Sequence, residues 1–210
     1  MMAPVFISLM LFLPAGSMEY WQAWIYCGVL LIPASFVVSY FLKKDPELLE
    51  RRMRMKEKEE KQKTIVKFAA IIFFIGFIIP GLDYRYHWSN VPVLLVIAAN
   101  AIVFSGYIFV FRVLRENSYA SRIIEVEKGQ KVITTGPYAI VRHPMYLGVL
   151  LMYLFTPLAL GSYWAVPFFL PLLPLIILRI LNEEEVLLRE LPGYREYCQK
   201  TKYRLVPLIW

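Results

Sequence analysis

A chain of 210 residues, 59% hydrophobic and 19% charged, is too apolar for an ordinary water-soluble domain, which runs nearer half apolar and a quarter charged. Its length suits one domain and hardly two. The net charge of +7 is in such a chain a topology signal rather than a nucleic-acid footprint, and Cys27 in an apolar run with Cys198 in a polar tail gives no disulfide framework or metal pattern.

The opening stretch MMAPVFISLMLFLPAG has no Lys or Arg, so a retained first helix is expected in place of a cleaved signal. Met1 to Leu13 is too short to cross a bilayer alone without tilt or thinning. The turn Pro14-Ala15-Gly16-Ser17 would let it pair with the next helix. Tyr20 to Leu42 is a charge-free span of 23 residues, and Ile65 to Leu82 and Val91 to Phe111 are further spans. The apolar stretch Tyr146 to Leu178 contains Pro157, Gly161, Pro167, Pro171 and Pro174. Interior prolines remove hydrogen bonds and clash one turn back, so it reads as a helical hairpin turning at Gly161-Ser162, its second arm kinked. The expectation is an all-α, polytopic integral-membrane bundle of about five transmembrane helices. It forms one domain, with spans and a basic connector in 1–125 and the chemistry in 126–210.

Charge sets the orientation. Lys43 to Lys67 carries ten Lys/Arg, Arg112 to Arg142 six more, and the tail from Arg179 is basic, whereas the link around Asp83-Tyr84-Arg85 is nearly neutral. Positive loops stay in the cytosol, which places 43–67, 112–145 and 179–210 on that face. The run RRMRMKEKEEKQK predicts a solvated helical connector laced with Glu–Lys pairs.

Two of these segments are richer than connectors need to be. In the stretch from Val126 to Gly148, Gly136-Pro137 is a turn signal, and His143-Pro144 places His143 at the start of a helix at the membrane surface. Backbone N–H groups at such a start can hold a carboxylate or phosphate. In the second, Arg179 and Glu183 lie four apart on one helix face, where a helix leaves the membrane and charges are either anchors or site residues. Taken singly, each has a plain reading: His143 as packing, Arg179 with Glu183 as an intrahelical ion pair, Glu183-Glu184-Glu185 as a solvated run, and Tyr138 and Tyr146 as belt aromatics.

Together they are more specific. Gly136-Pro137-Tyr138, then Val141-Arg142-His143-Pro144-Met145-Tyr146 and Gly148, resembles the signature of the isoprenylcysteine carboxyl methyltransferase family. Arg179 through Glu184, Leu187, Gly193-Tyr194, Tyr197, Arg204 and Pro207 resemble that family's second block. The resemblance covers about the last 85 residues, from Val126 on, and phospholipid methyltransferases share its first block. It implies S-adenosylmethionine as cofactor, held by Gln130, Lys131, Val132, Ile133, Tyr138, His143, Pro144, Met145, Tyr146 and Glu183. It also implies Arg179 as the residue holding the substrate carboxylate. The family often has His where this chain has Gln130. Register leaves Glu183 and Glu184 as alternatives: counting from Arg179 selects Glu183, which shares its face, and counting back from Gly193 selects Glu184.

A carboxylate acceptor is already ionised at pH 7 and needs no general base; the site must supply position and desolvation. Arg179 suits a two-pronged ion pair, and the amides near His143-Pro144 suit the cofactor's carboxylate. The expected substrate is a prenylcysteine-like lipid entering sideways along the Pro167–Pro174 face. The other partner is the bilayer, with no nucleic acid and no obligatory protein partner. The alternatives are a phospholipid N-methyltransferase, an NADPH-dependent membrane sterol-type reductase, and a non-catalytic membrane scaffold.

Overall fold

The computed structural model describes residues 2–54, 56, 57 and 59–210. In chain order the helices are α1 (Met2–Ala15), α2 (Trp21–Lys44), α3 (Pro46–Met53), α4 (Glu60–Tyr86), α5 (Val93–Glu116), α6 (Pro144–Ala159), α7 (Val166–Phe169), α8 (Leu172–Glu190) and α9 (Tyr194–Lys200), with a 3-10 turn at Gly136–Ala139. Trp21–Lys44, Glu60–Tyr86, Val93–Glu116 and Val166–Glu190 are each long and apolar enough to cross a membrane, whereas Val5–Ala15 and Pro144–Ala159 are apolar but shorter. The exposed large apolar side chains of α2, α4 and α5, such as Ile32, Phe68, Ile71 and Leu94, are those of a polytopic membrane bundle facing lipid.

Close backbone approach organises the packing. α5 and α6 form the most extensive pair, meeting where a Cβ on Gly106 would stand 2.9 Å from the Gly148 carbonyl oxygen and one on Gly148 would stand 2.6 Å from a Val110 methyl. Small residues at such crossings are how membrane helices gain contact. α1 lies chiefly on α4 and less on α2, contrary to the expected pairing with the next helix. The reason is Gly81, where a Cβ would meet the Leu11 carbonyl oxygen at 2.6 Å.

The hairpin turns at Gly161-Ser162 as the sequence predicts, with Gly161 at φ 74°. α4 runs through Asp83 to Tyr86, so the neutral link lies further on than expected. Asp83 is buried and pins the hairpin: its carboxylate accepts hydrogen bonds from the hydroxyls of Ser162 and of Ser89, the latter at 2.7 Å. The second arm is broken rather than kinked, because Pro167 sits in the first turn of α7, Pro171 caps α8 and Pro174 occupies its first turn. These are positions where proline's missing N–H costs nothing. Phe169, 1% exposed, packs into the space left by Gly76 and against Phe73 and Phe77. That part of the Pro167–Pro174 face is filled by protein and is not an open lipid cleft.

The basic connector is not one solvated helix. Asp45 caps α3 by accepting the Leu48 N–H at 3.1 Å, and α4 begins only at Glu60. Between them the chain folds across residues 118–127: Arg54 pairs with Glu125 at 2.5 Å and with Glu127, Arg51 donates to the Ser118 carbonyl at 3.0 Å, and Glu57 and Gln62 are buried. Of the expected local pairs, Glu60 and Lys63 meet at 2.5 Å. The three basic segments thus gather at one end of the bundle.

Candidate active site

α8 leaves the apolar layer with Arg179 and Glu183 one turn apart on one face. Between them stands Tyr146, from the first turn of α6: its hydroxyl donates to Glu183 Oε2 at 2.6 Å and accepts from Arg179 Nε at 3.0 Å. The next residue, Glu184, points elsewhere. Its carboxylate accepts from Arg142 Nε at 2.6 Å and Arg204 Nε at 2.7 Å, and lies 3.3 Å from His143 Nε2. His143 also stands 3.9 Å from Glu183 through Nδ1, so its ring separates the two carboxylates.

The start of α6 is clasped by the tail. The Arg142 N–H donates to the Tyr203 carbonyl at 2.9 Å and the His143 N–H to that of Arg204 at 2.8 Å. Arg142 Nη1 adds bonds to the Thr201 and Lys202 carbonyls, both at 2.8 Å. Pro144 has no N–H, and the Tyr146 N–H is bonded to the His143 carbonyl at 3.2 Å. The amides expected to receive a carboxylate here are therefore largely committed, since the returning tail reaches them first.

One cavity, of about 100 Å³, collects the rest. Gln130, Lys131, Val132, Ile133, Tyr138, His143, Met145, Tyr146, Arg179 and Glu183 all line it. Pro144 is buried behind this wall. Of the two alternatives Glu183 lines the cavity and Glu184 does not. Gln130 has its side-chain oxygen engaged by the Glu127 N–H at 2.9 Å, which makes it a loop brace. Among the described residues, Lys131 to Thr134 make no backbone–backbone hydrogen bond, so an extended strip of main-chain donors and acceptors is available at the wall. The Tyr138 hydroxyl accepts from Asn117 Nδ2 at 3.0 Å, leaving its own proton to donate, and burial pushes its pKa up to about 12.

Arg179 is more occupied than a substrate clamp would be. Nη1 donates to Glu57 at 3.0 Å and Gln62 at 2.7 Å, Nη2 to the Arg122 carbonyl at 2.6 Å, and Nε to Tyr146. A guanidinium has five N–H donors, so only a single one remains for an incoming group unless Glu57 or Gln62 withdraws.

Sequence reasoning missed Glu57, Gln62 and Asn117. The first two are hidden in a polar run whose composition is that of a solvated helix. Tyr194 was visible only as part of the tail motif; the structure puts it on the cavity wall with a buried hydroxyl that has no oxygen or nitrogen partner among the described residues.

Comparison with known proteins bears on the fold and on the stretch that carries these residues. Residues 94–193 match the family described as phospholipid methyltransferase, a stretch that includes both sequence blocks up to Gly193. The solved structure of the eukaryotic intramembrane Ras methyltransferase, isoprenylcysteine carboxyl methyltransferase, superposes with a TM-score of 0.56 and 20% identity over 97% of this chain and 74% of that one. The fold is therefore that of this polytopic membrane bundle. A Delta(14)-sterol reductase of Mus musculus is 31% identical over 90 residues, which is 41% of this chain and 22% of the reductase. The chain thus spans about a fifth of that relative. The family match and the shared fold agree with the resemblance to the membrane methyltransferases.

Proposed function

We propose that the protein is an S-adenosylmethionine-dependent membrane methyltransferase that esterifies the carboxylate of a prenylcysteine-like lipid at the cytosolic face. The observation that carries this is the row Arg179–Tyr146–Glu183, which sets a cation and an anion one helical turn apart on the wall of one cavity. Lys131, Val132, Ile133 and Tyr138 line the same cavity as the anionic end. The cationic end is bonded to Glu57 and Gln62.

The donor set fits S-adenosylmethionine. Glu183, with a quarter of its side chain accessible, suits an ammonium group. The Tyr194 hydroxyl, which has no oxygen or nitrogen partner among the described residues, and the amides and carbonyls of 131–133 suit the polar edges of a nucleoside. When bound, the cofactor supplies an electrophilic methyl on a sulfonium. What this chain supplies is position and exclusion of water: Tyr146 fixes the distance between the two ends, and Leu187, Leu191 and Val132 dry the cavity wall. A carboxylate acceptor asks for no base, and His143 is held between Glu183 and Glu184, which suits it to fixing their positions. Phospholipid N-methylation is the alternative supported by the family match, and an NADPH-dependent reductase by the sterol reductase likeness.

The test is transfer of labelled methyl from S-adenosylmethionine to a farnesylated cysteine analogue by purified protein in detergent, with Arg179→Ala in parallel. A base-labile ester, lost in the variant, is the expected result. Cofactor binding without ester formation would move the acceptor to phospholipids, and binding of NADPH instead would sink the methyltransferase reading.

A further inference from the structure

The end of α3 carries arginines with different fates. Arg51 bonds Glu47 at 2.9 Å and stacks over Tyr119, and Arg54 pairs with Glu125 and Glu127. Arg52 has no carboxylate within ion-pair distance among the described residues. Its Nη1 donates to the Ser121 carbonyl at 3.2 Å and approaches the Met145 sulfur at 3.7 Å, and among the described residues it makes no other hydrogen bond. Met145 and Ser121 both line the cavity, so this guanidinium stands at its rim.

The surroundings are those of a cation short of an anion. Burial, together with the like charges of Arg122 and Arg179, pushes the guanidinium below its ordinary value. Buried charges are normally paired. Arg122 and Arg179 lie nearby, and Glu57 is taken by Arg179 and by the Ile124 N–H. Tyr153 is about 12 Å further along α6 than Met145 and packs edge-on against Phe73 of α4, ring centroids 4.5 Å apart. Both rings pack against the apolar core of the bundle, so the apolar layer begins within that distance of the rim.

We infer that Arg52 is a specificity-determining residue, holding the anionic head of an amphiphilic acceptor at the cavity rim. The inference rests on the methyltransferase reading for its consequence in turnover, but not for binding itself. The anion is a carboxylate if the acceptor is a prenylcysteine and a phosphodiester if it is a phospholipid.

Equilibrium binding to the detergent-purified protein tests it, using a farnesylated cysteine analogue as the free acid and as its neutral carboxamide, and phosphatidylethanolamine in mixed micelles. The variants are Arg52→Met, which keeps the packing against Met145, and Arg52→Lys. The wild type is expected to prefer one of the anionic probes over the carboxamide. Arg52→Met should lose about tenfold in affinity for that probe, the size of a lost charge-assisted hydrogen bond, with carboxamide and S-adenosylmethionine binding unchanged. Arg52→Lys should fall between. Because an unpaired buried charge is removed, the Tm of Arg52→Met should hold or rise. A lower Tm with the anion preference intact would make Arg52 a structural residue and overturn the proposal, as would a wild type that binds acid and carboxamide equally. If anion binding depends on Arg52 yet no acceptor is methylated, the rim site stands and the methyltransferase reading falls.

Discussion

The Glu183 carboxylate faces the cavity and accepts from Tyr146 at 2.6 Å, while that of Glu184, the next residue on α8, accepts from Arg142 at 2.6 Å and Arg204 at 2.7 Å off the cavity wall. Neighbours on a helix point about 100° apart, and here that angle separates a group open to a ligand from one sealed by the tail. Glu183→Gln should therefore weaken S-adenosylmethionine binding about tenfold with little change in Tm. Glu184→Ala should cost about 3 kcal/mol of stability by leaving Arg142 buried and unpaired. Calorimetric titration and thermal melts on the two variants separate these outcomes; equal loss of stability in both would refute the division.

Glu57 holds Arg179 where an acceptor carboxylate is expected to bind. Glu57→Gln keeps the shape and removes the competing charge, so the KM for a carboxylate acceptor should fall severalfold with cofactor affinity unchanged. Initial-rate kinetics on the variant would show it, and a raised KM would mean that Glu57 supports the acceptor site instead of occupying it.

Tyr138 links stability to pH. Its pKa is raised from 10.0 to about 12 by burial, so the folded state favours the neutral phenol. Its contribution is complete below pH 10 and is lost as pH rises towards 12. Tyr194 and Tyr197 are raised in the same direction, also chiefly by burial. Melting temperature should decline across that window, and more shallowly in Tyr138→Phe, which should also bind cofactor a fewfold more weakly for want of the donated hydrogen bond. An unchanged slope in the variant would remove Tyr138 from this account.

The α5–α6 crossing tolerates no added bulk at Gly148, where a Cβ meets Val110 and Phe109. Gly148→Val should cost about 1–3 kcal/mol and, because α6 carries His143 and Tyr146, should lower cofactor affinity as well. Melts and binding on the same sample test both; loss of stability with native affinity would show that the helix shifts without disturbing its first turn.

The spans were legible because a bilayer demands long uncharged helices, and the hairpin turn because glycine tolerates a positive φ. That Arg179 and Glu183 share one helix face was legible from helical spacing. Spacing alone left Glu183 and Glu184 open, since the choice depends on Arg142 and Arg204 arriving from elsewhere. Glu57, Gln62 and Arg52 were illegible for a similar reason. In a run of mixed charges, which members are buried is decided by the segment that folds over them, here 118–127. The prolines of the second arm misled because a proline reads as a kink until it is known to sit in a first turn.

The clasp of the tail on the α6 start also orders events in time. Arg142 and His143 find their backbone acceptors only at Tyr203 and Arg204, some sixty residues later in synthesis. The candidate membrane spans of the described residues all precede those acceptors in the chain. A nascent chain with all its helices in the bilayer would therefore still hold a loose, non-binding pocket, and competence would arrive in one late step when the tail docks.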